Sequence, residues 1–211
     1  YLIEIAEVIF KKHKHNVDYK VMPWSRAISE AEKGKINAIA GAYYEDAPDF
    51  LFPKNEQGKS RELIFTGKNK KIVYNGINSL YSITLGVVKD YSYGDEIDQY
   101  ILKNKDQSNL IYEIAGENSL ESLLKMLKTD RIGALIENEI VMQNYLFEKK
   151  MENDIVPIGV LRDEVKVFIA FSPAIANSKT YAEILSSGMG DIRKTGELKQ
   201  ILAKYGLKDW K

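Results

Sequence analysis

The stretch DAPDFLFPKN, residues 46–55, decides how the chain divides. It carries two prolines and two phenylalanines, and the acidic Glu45 comes directly before it. Proline fixes its own backbone φ angle and restricts the conformation of the residue before it. The stretch is therefore a turn of defined shape with apolar side chains to anchor it. Its composition alone leaves open whether it is a domain edge, a binding loop or a surface turn.

Helices and strands alternate before this turn. Residues 2–13 place apolar side chains on one helical stripe, and residues 24–34 are typical of a helix that starts after Pro23. Residues 17–22, VDYKVM, alternate like a strand, and residues 36–42, INAIAGA, indicate a buried one. The order helix, strand, helix, strand predicts an α/β unit with parallel strands.

A second α/β series follows the turn, from about residue 84 to 150. Residues 164–173, EVKVFIAFSP, predict a strand long enough to leave one unit and enter another. Two amphipathic helices come after that strand. We predict strands at 61–66, 70–74, 83–88, 109–114 and 131–136, and helices at 92–103, 119–130, 137–149, 178–193 and 195–205.

Composition excludes several classes of protein. Lysine plus arginine and aspartate plus glutamate each number 30, so a net charge of zero gives no reason to expect a nucleic acid partner. The absence of cysteine excludes disulfides, thiolate nucleophiles and cysteine-ligated metals. The sequence also contains no Gly-x-Ser-x-Gly elbow, Walker loop or histidine-rich metal motif. We therefore expect a chain that is not an enzyme and needs no cofactor.

The chain resembles the family 3 extracellular solute-binding proteins, the periplasmic binding proteins of ABC importers for polar amino acids. The resemblance rests on an ordered set of stretches that spans most of the chain, and no single one of them is specific. The matching stretches are PWSRAISEAEKGKINAIAGAYYEDAPDFLFP, LGVVKDYSYGDEID, SLESLLKMLKTDRIGALIENE, VKVFIAFSP and DIRKTGELKQILAKYGL.

This resemblance implies the α/β fold of the type II periplasmic binding proteins, with two lobes joined by two hinge strands and a ligand cleft between them. Residues 1–56 and 167–211 would form lobe 1, and residues 57–166 would form the inserted lobe 2. The turn at 46–55 would then be the last part of lobe 1 before the first hinge strand.

The function implied is that of a periplasmic monomer. It would bind a small polar solute, an amino acid or a related compound, and would dock on the membrane permease of an ABC importer. Hinge closure would capture the solute, because the solute touches both lobes only in the closed form. The alternative is a ligand-sensing extracytoplasmic domain of a signalling receptor with the same fold.

Two departures from the family pattern bear on the ligand. The family normally opens with a strand and a loop before its first helix, and this sequence begins directly with the helix. Amino-acid binders also usually carry an arginine after the strand that matches INAIAGA, where its two parallel donors grip the ligand carboxylate. The corresponding stretch here, YYEDAPDF, contains no arginine. Another residue would have to replace that arginine if the solute is an α-amino acid.

In folds of this kind, ligands lie at the carboxyl ends of strands and at helix N-termini. In lobe 1 this rule selects Trp24 and Arg26 at the start of a helix, and Ala42, Tyr43 and Tyr44 after a strand. Trp24 could pack on the ligand and Arg26 could meet an acidic group. A tyrosine offers a ring and a hydroxyl to a small polar ligand. The alternatives are a capping tryptophan, a salt bridge inside the lobe, and ordinary packing at the strand end.

In lobe 2 the rule selects the turn formed by Asp90, Tyr91, Ser92 and Tyr93. The resemblance implies that backbone N–H groups of this turn bind the ligand, with Asp90 in a place where the family usually has glycine. An acid there would favour a cationic or neutral ligand. The alternative role of Ser92 is to cap the following helix.

Two further candidate positions precede helices of lobe 2. Asn118 comes before the leucine-rich helix, where helix-start chemistry is the favoured interpretation. Glu137 and Asn138 follow the strand RIGALI, where the family often places an aspartate that accepts the ligand ammonium group. An ionised carboxylate suits that task because it only accepts hydrogen bonds. The alternative for this pair is an N-cap that gains from the helix dipole.

Overall fold

A computed structural model describes all residues from Tyr1 to Lys211. The chain forms two compact units: unit 1 contains residues 1–59 and 166–211, and unit 2 contains residues 60–165. None of the helices combines the length and the apolar character needed to cross a membrane. The helices are α1 (Leu2–Lys12), α2 (Trp24–Glu32), α3 (Asp95–Asn104), α4 (Ser119–Lys128), α5 (Glu139–Lys149), α6 (Ser178–Lys194) and α7 (Glu197–Ala203). The strands are β1 (Ala38–Ala42), β2 (Gly58–Gly67), β3 (Leu85–Val88), β4 (Ile111–Ile114), β5 (Ala134–Asn138) and β6 (Ile155–Phe171).

Three helices build the main core of unit 1. The predicted stripe of α1 is confirmed, because the helix buries Ile5, Ala6, Ile9 and Phe10 on one side. Helix α6 buries a matching face, and its Gly188 leaves no room for a side chain beside Ile9. Helix α7 adds Leu198, Ile201 and Leu202 to the same core.

The sheet of unit 1 differs from the predicted one. Strand β1 pairs with β6 in antiparallel fashion, so the prediction of parallel strands in this part of the chain is wrong. Residues 17–22 form no strand, although their pattern alternates. Tyr19 and Val21 in this segment are exposed. A strand needs a hydrogen-bonded neighbour, and alternation of side chains alone does not supply one.

The turn at residues 46–55 is anchored in unit 1. Ala47 and Phe50 are buried in a small core formed with the residues around α2 and β1. Leu51 exchanges both backbone hydrogen bonds with Phe171 of β6, at 2.9 Å each. The turn is therefore held by apolar packing and by a bridge to a strand, and the chain leaves unit 1 a few residues later.

Unit 2 contains a four-stranded arrangement in the order β2-β5-β3-β4. Strand β3 pairs in parallel with β4 and with β5, while β2 is antiparallel to β5. Helix α4 covers one face through Leu123, Leu124 and Leu127, and α3 covers the other through Ile97 and Tyr100. The α/β series predicted between about residues 84 and 150 is confirmed in element type and order.

Several element boundaries differ from prediction. Residues 70–74 form no strand, and a short 3-10 helix spans Ile77–Ser82. Strand β6 begins at Ile155, nine residues before the predicted start at 164, and runs through the boundary between the units. Strand β2 does the same at Lys59. The predicted lobe boundaries at 56/57 and 166/167 stay a prediction.

Candidate functional site

The candidates at the start of α2 take different positions in unit 1. Pro23 stands at the N-cap with φ of −56°, which suits the residue that leads into a helix. Trp24 packs, partly buried, against the small core of unit 1. Arg26 lies on the exposed side of the helix, where its Nε is 3.3 Å from Oε1 of Glu30. This pair at i and i+4 corresponds to the structural alternative for Arg26, a salt bridge within the lobe.

Strand β1 is irregular near its end and leads into a tight turn. Gly41 has φ of +95°, and the strand register shifts between Ala40 and Ala42. Ala42 is fully buried, and its contact with a ligand stays a prediction. The Tyr43 N–H donates to Oδ2 of Asp46 at 2.7 Å, which fixes the turn.

Tyr44 is the exposed member of an aromatic group in unit 1. Its ring centroid lies 4.5 Å from that of Phe52 and 4.7 Å from that of Phe168. Phe52 and Phe168 meet edge to face at 5.4 Å. Burial, together with the negative charge of Glu56, raises the pKa of the Tyr44 hydroxyl. We call Tyr44, Phe52 and Phe168 the aromatic group of unit 1; it offers a fixed ring surface at the end of β1.

In unit 2 the turn after β3 is held by its own hydrogen bonds. The Tyr91 N–H donates to the Val88 carbonyl at 3.3 Å, and the Tyr93 N–H donates to Oδ1 of Asp98 at 2.7 Å. The Ser92 hydroxyl donates to the other oxygen of the same carboxylate at 2.7 Å. The backbone N–H groups of Tyr91 and Tyr93 therefore donate hydrogen bonds within this part of the chain.

Two details of this turn correct or sharpen the sequence interpretation. Asp90 has φ of +61°, the left-handed region that glycine favours, which fits its glycine-like place. Ser92 is not the cap of α3, because Gly94 with φ of +94° occupies the N-cap position. The chain therefore reaches the helix two residues later than a Ser92 cap requires.

Tyr93 is buried although its neighbour Tyr91 is exposed. The Tyr93 hydroxyl oxygen accepts a hydrogen bond from the Val88 N–H at 2.8 Å. Burial raises the pKa of this hydroxyl well above its usual value, and the carboxylates of Glu137 and Glu62 raise it further. Tyr93 thus acts as a buried support of the turn, and its ring centroid lies 6.2 Å from that of Tyr91.

Glu137 stands at the carboxyl end of β5 and is partly buried. Its Oε1 accepts the backbone N–H of Asn138 at 2.7 Å. Burial raises the pKa of Glu137 to about 8, the hydrogen bond from Asn138 lowers it, and the like charge of Glu62 raises it. A carboxyl group with this pKa is largely protonated at neutral pH.

Sequence reasoning missed Glu62, which is buried on β2. It lies opposite Asn138 in the ladder between β2 and β5, next to the pair formed by Leu63 and Glu137. A signal was present in the sequence, because Glu62 directly precedes the apolar run of a predicted strand.

The alternative role of Asn138 is confirmed. Its Oδ1 accepts the N–H groups of Ile140 at 3.0 Å and Val141 at 3.3 Å, and so caps α5. The Ser60 hydroxyl donates to the same oxygen at 2.9 Å. Asn118 stands at the N-cap of α4 without a side-chain cap bond. Ligand contacts of both asparagines stay predictions.

The fold agrees with the comparison with known proteins. A sequence profile of the bacterial extracellular solute-binding proteins, family 3, matches residues 1–208. The chain belongs to this family. Its fold is that of the type II periplasmic binding proteins, and the family is a binding class rather than an enzymatic one. A search of curated proteins gives no match.

Solved structures show the same fold at low sequence identity. A histidine kinase sensor domain with similarity to periplasmic binding proteins has a TM-score of 0.76 at 16% identity, covering 97% of this chain and 85% of its own. An ancestral arginine-binding protein bound to glutamine has a TM-score of 0.75 at 18% identity, with coverages of 96% and 85%. An ABC uptake transporter substrate-binding protein from Streptococcus pneumoniae with bound histidine has a TM-score of 0.74 at 20% identity, with coverages of 96% and 81%.

Proposed function

We propose that this protein captures a small polar solute, an amino acid or a related compound, and delivers it to the permease of an ABC importer. The observation that carries the proposal is the match to the family 3 solute-binding proteins across residues 1–208. The proposal places the protein in the periplasm as a monomer. It includes no chemical step, so the solute should be recovered unchanged after incubation with the protein.

The candidate residues support a solute that carries an amino group. In unit 1 the exposed Tyr44 ring offers a surface for an apolar or cationic part of the solute. In unit 2 Glu137 offers carboxylate oxygens, which only accept hydrogen bonds once the group is ionised. An ammonium group would lower the pKa of Glu137 by its opposite charge, so binding would release a proton near neutral pH.

The way in which binding changes the protein follows from the two strands that join the units. Strands β2 and β6 are the connections that each run across the boundary between unit 1 and unit 2. A solute that contacts both units in only one of their arrangements stabilises that arrangement. We propose that the permease recognises this solute-bound arrangement.

A thermal-shift screen of the purified chain tests the proposal. The compounds are amino acids, polyamines, small organic acids and short sugars. A solute that binds only the folded protein stabilises it by about 2.7 kcal/mol at a hundredfold excess over Kd. We expect a shift with compounds that carry an amino group and none with organic acids. A shift with organic acids alone would contradict the proposed role of Glu137.

A matched pair of variants locates the response. Glu137→Gln should abolish the shift produced by an amine, while Glu117→Gln, which changes an exposed glutamate of the same unit, should retain it. Loss of the shift in both variants would mean that total charge, and not Glu137, governs binding.

A specific observation also favours the second candidate function, a sensing domain. The fold matches a histidine kinase sensor domain with a TM-score of 0.76. The complete coding sequence separates the two functions. A membrane segment and a signalling domain on the same polypeptide would support sensing, and a permease gene encoded next to a stand-alone binding protein would support transport.

A further inference from the structure

The chain passes from unit 1 to unit 2 after Lys59. The residues just before this point make hydrogen bonds and side-chain contacts with several parts of unit 1. We call residues 55–58 the crossing segment. Each of its four residues contacts a different part of unit 1. Two of these contacts come from the ends of the sequence, namely from Tyr1 and from the C-terminal tail, residues 207–211.

Asn55 and Gln57 tie the crossing segment to the body of unit 1. The Asn55 backbone N–H donates to Oγ of Ser186 at 3.1 Å, and its Nδ2 donates to the Ser186 carbonyl at 2.8 Å. Gln57 is fully buried. Its backbone N–H donates to the Val167 carbonyl and its Oε1 accepts the Ile169 N–H, each at 2.9 Å. Both residues therefore carry protected amide hydrogens.

Glu56 is the link between the crossing segment and the tail. Its carboxylate is almost completely buried, with 3% of the residue exposed. Its Oε1 accepts Nε1–H of Trp210 at 2.9 Å and lies 3.0 Å from Nζ of Lys211. Burial raises the pKa of Glu56, but the hydrogen bonds from its own backbone, Lys211 and Trp210 outweigh burial and hold the pKa below its usual value. A buried carboxylate requires such partners, and the tail supplies two of them.

Arg193 at the end of α6 holds the tail from its other side. Its guanidinium forms two hydrogen bonds with Asp209, at 2.8 and 3.0 Å. Its Cζ also lies 5.3 Å from the ring centroid of Trp210. The geometry is the bidentate arrangement that fixes orientation as well as position. The tail is thus clamped between α6 and Glu56.

Tyr1 covers the last residue of the crossing segment. A side chain at Gly58 would overlap the Tyr1 hydroxyl, so the close approach requires glycine. The ring of Tyr1 meets that of Tyr205 edge to face, with centroids 6.2 Å apart. Both ends of the sequence therefore meet at the crossing segment.

We propose that the C-terminal tail is a latch, which fixes the crossing segment to unit 1 through Glu56. The latch keeps the beginning of β2 with unit 1, so that any movement between the units is taken up after Gly58. Its action depends neither on the identity of the solute nor on the proposed transport function. Release of the tail makes the crossing segment more mobile, while the core of unit 1 keeps its packing.

Amide hydrogen exchange tests the latch. The test variant is Trp210→Phe with Lys211→Met, which removes the two donors that the tail provides to Glu56 and keeps an aromatic ring. The matched control is Lys204→Met, which removes an exposed ion pair of unit 1, that of Lys204 with Glu4 at 2.9 Å. We expect the amides of Asn55 and Gln57 to exchange about tenfold faster or more in the test variant, with amides of α6 unchanged.

Two outcomes would overturn the latch. Unchanged exchange at Asn55 and Gln57 would show that the tail does not hold the crossing segment. Equal acceleration throughout unit 1, including Leu185 in α6, would show that the tail only contributes to general stability. Lys211→Met alone should give a smaller acceleration confined to the same two amides, which keeps the test available if the double variant does not fold.

A second measurement reports movement between the two units. Because the chain has no cysteine, one cysteine in each unit, Lys179→Cys and Leu102→Cys, can carry a pair of spin labels. Both positions are exposed. We expect a broader distance distribution in the test variant than in the control. Identical distributions would contradict a latch that limits movement between the units.

Discussion

The two units differ in what their candidate residues offer to a solute. In unit 1 the exposed Tyr44 packs against Phe52 and Phe168, and we propose that it attracts the solute by ring contact. In unit 2 we propose that Glu137 attracts the solute by its charge, and burial raises the pKa at which this carboxyl group ionises. On this proposal unit 1 provides an attraction for the solute that does not change with pH, and unit 2 provides a charge that does. The following predictions test this contrast.

The largest effect is expected from the separate cores. Leu185→Ala in unit 1 and Leu123→Ala in unit 2 each remove a fully buried leucine, which costs about 2–5 kcal/mol. Amide exchange should show lost protection mainly in the unit that carries the substitution, because each unit has its own core. Equal loss of protection in both units would show that the two cores unfold together.

The next largest effect is the pH dependence of the free energy of unfolding that Glu137 contributes. Folding raises the pKa of this carboxyl from 4.5 to about 8, so the folded state binds the proton more tightly than the unfolded chain. The free energy of unfolding should therefore fall as pH rises between these two values, by up to about 1.4 kcal/mol per pH unit, and should level off above. Denaturant titrations at pH 5, 6, 7 and 8 measure the slope.

Two variants separate the causes of that slope. Glu137→Gln should flatten it, because glutamine does not titrate. Glu62→Gln should lower the folded-state pKa of Glu137, because it removes the like charge while the burial of Glu137 persists. The range of pH over which the free energy of unfolding falls should therefore end at a lower pH. An unchanged slope in Glu137→Gln would assign the pH dependence to another group.

A smaller and pH-independent effect is expected in unit 1. Tyr44→Ala removes two ring contacts and should lower the free energy of unfolding by about 1–2 kcal/mol. Tyr44→Phe keeps the ring and should lose little. The loss in Tyr44→Ala should be the same at pH 5 and pH 7. A loss that changes with pH would mean that Tyr44 acts through its hydroxyl or through Glu56 rather than through its ring.

The same contrast decides how well the sequence predicts each unit. In unit 2 the strands β3, β4 and β5 all pair within the unit, and local patterns were sufficient to predict their type and order. In unit 1 the alternating segment at residues 17–22 predicts a strand, but strand formation depends on a partner that local pattern does not reveal. The first part of β6 was not predicted, because residues 155–163 include a proline, a glycine and two charged residues.

Candidate residues were predicted from their place at strand and helix ends, and their environment was not. Glu137 was chosen as a carboxylate after β5, but its raised pKa arises mainly from burial in the folded chain, with a further contribution from Glu62, which is distant in sequence. Tyr93 and Tyr91 have the same side chain and stand two residues apart, yet one is buried and the other exposed. Such differences arise from tertiary packing, which short patterns do not encode.

The smallest effect is expected at Arg26, the one arginine among the candidate residues. Its side chain is 64% exposed and is paired with Glu30 one helical turn away. Such pairs contribute about 0.3–0.5 kcal/mol, so Arg26→Ala should change the free energy of unfolding by no more than that. If unit 1 binds the solute through ring contact alone, the affinity for the solute found in the thermal-shift screen should also stay the same. A tenfold loss of affinity at unchanged stability would instead show that Arg26 leaves Glu30 to hold a solute carboxylate, and unit 1 would then supply charge as unit 2 does.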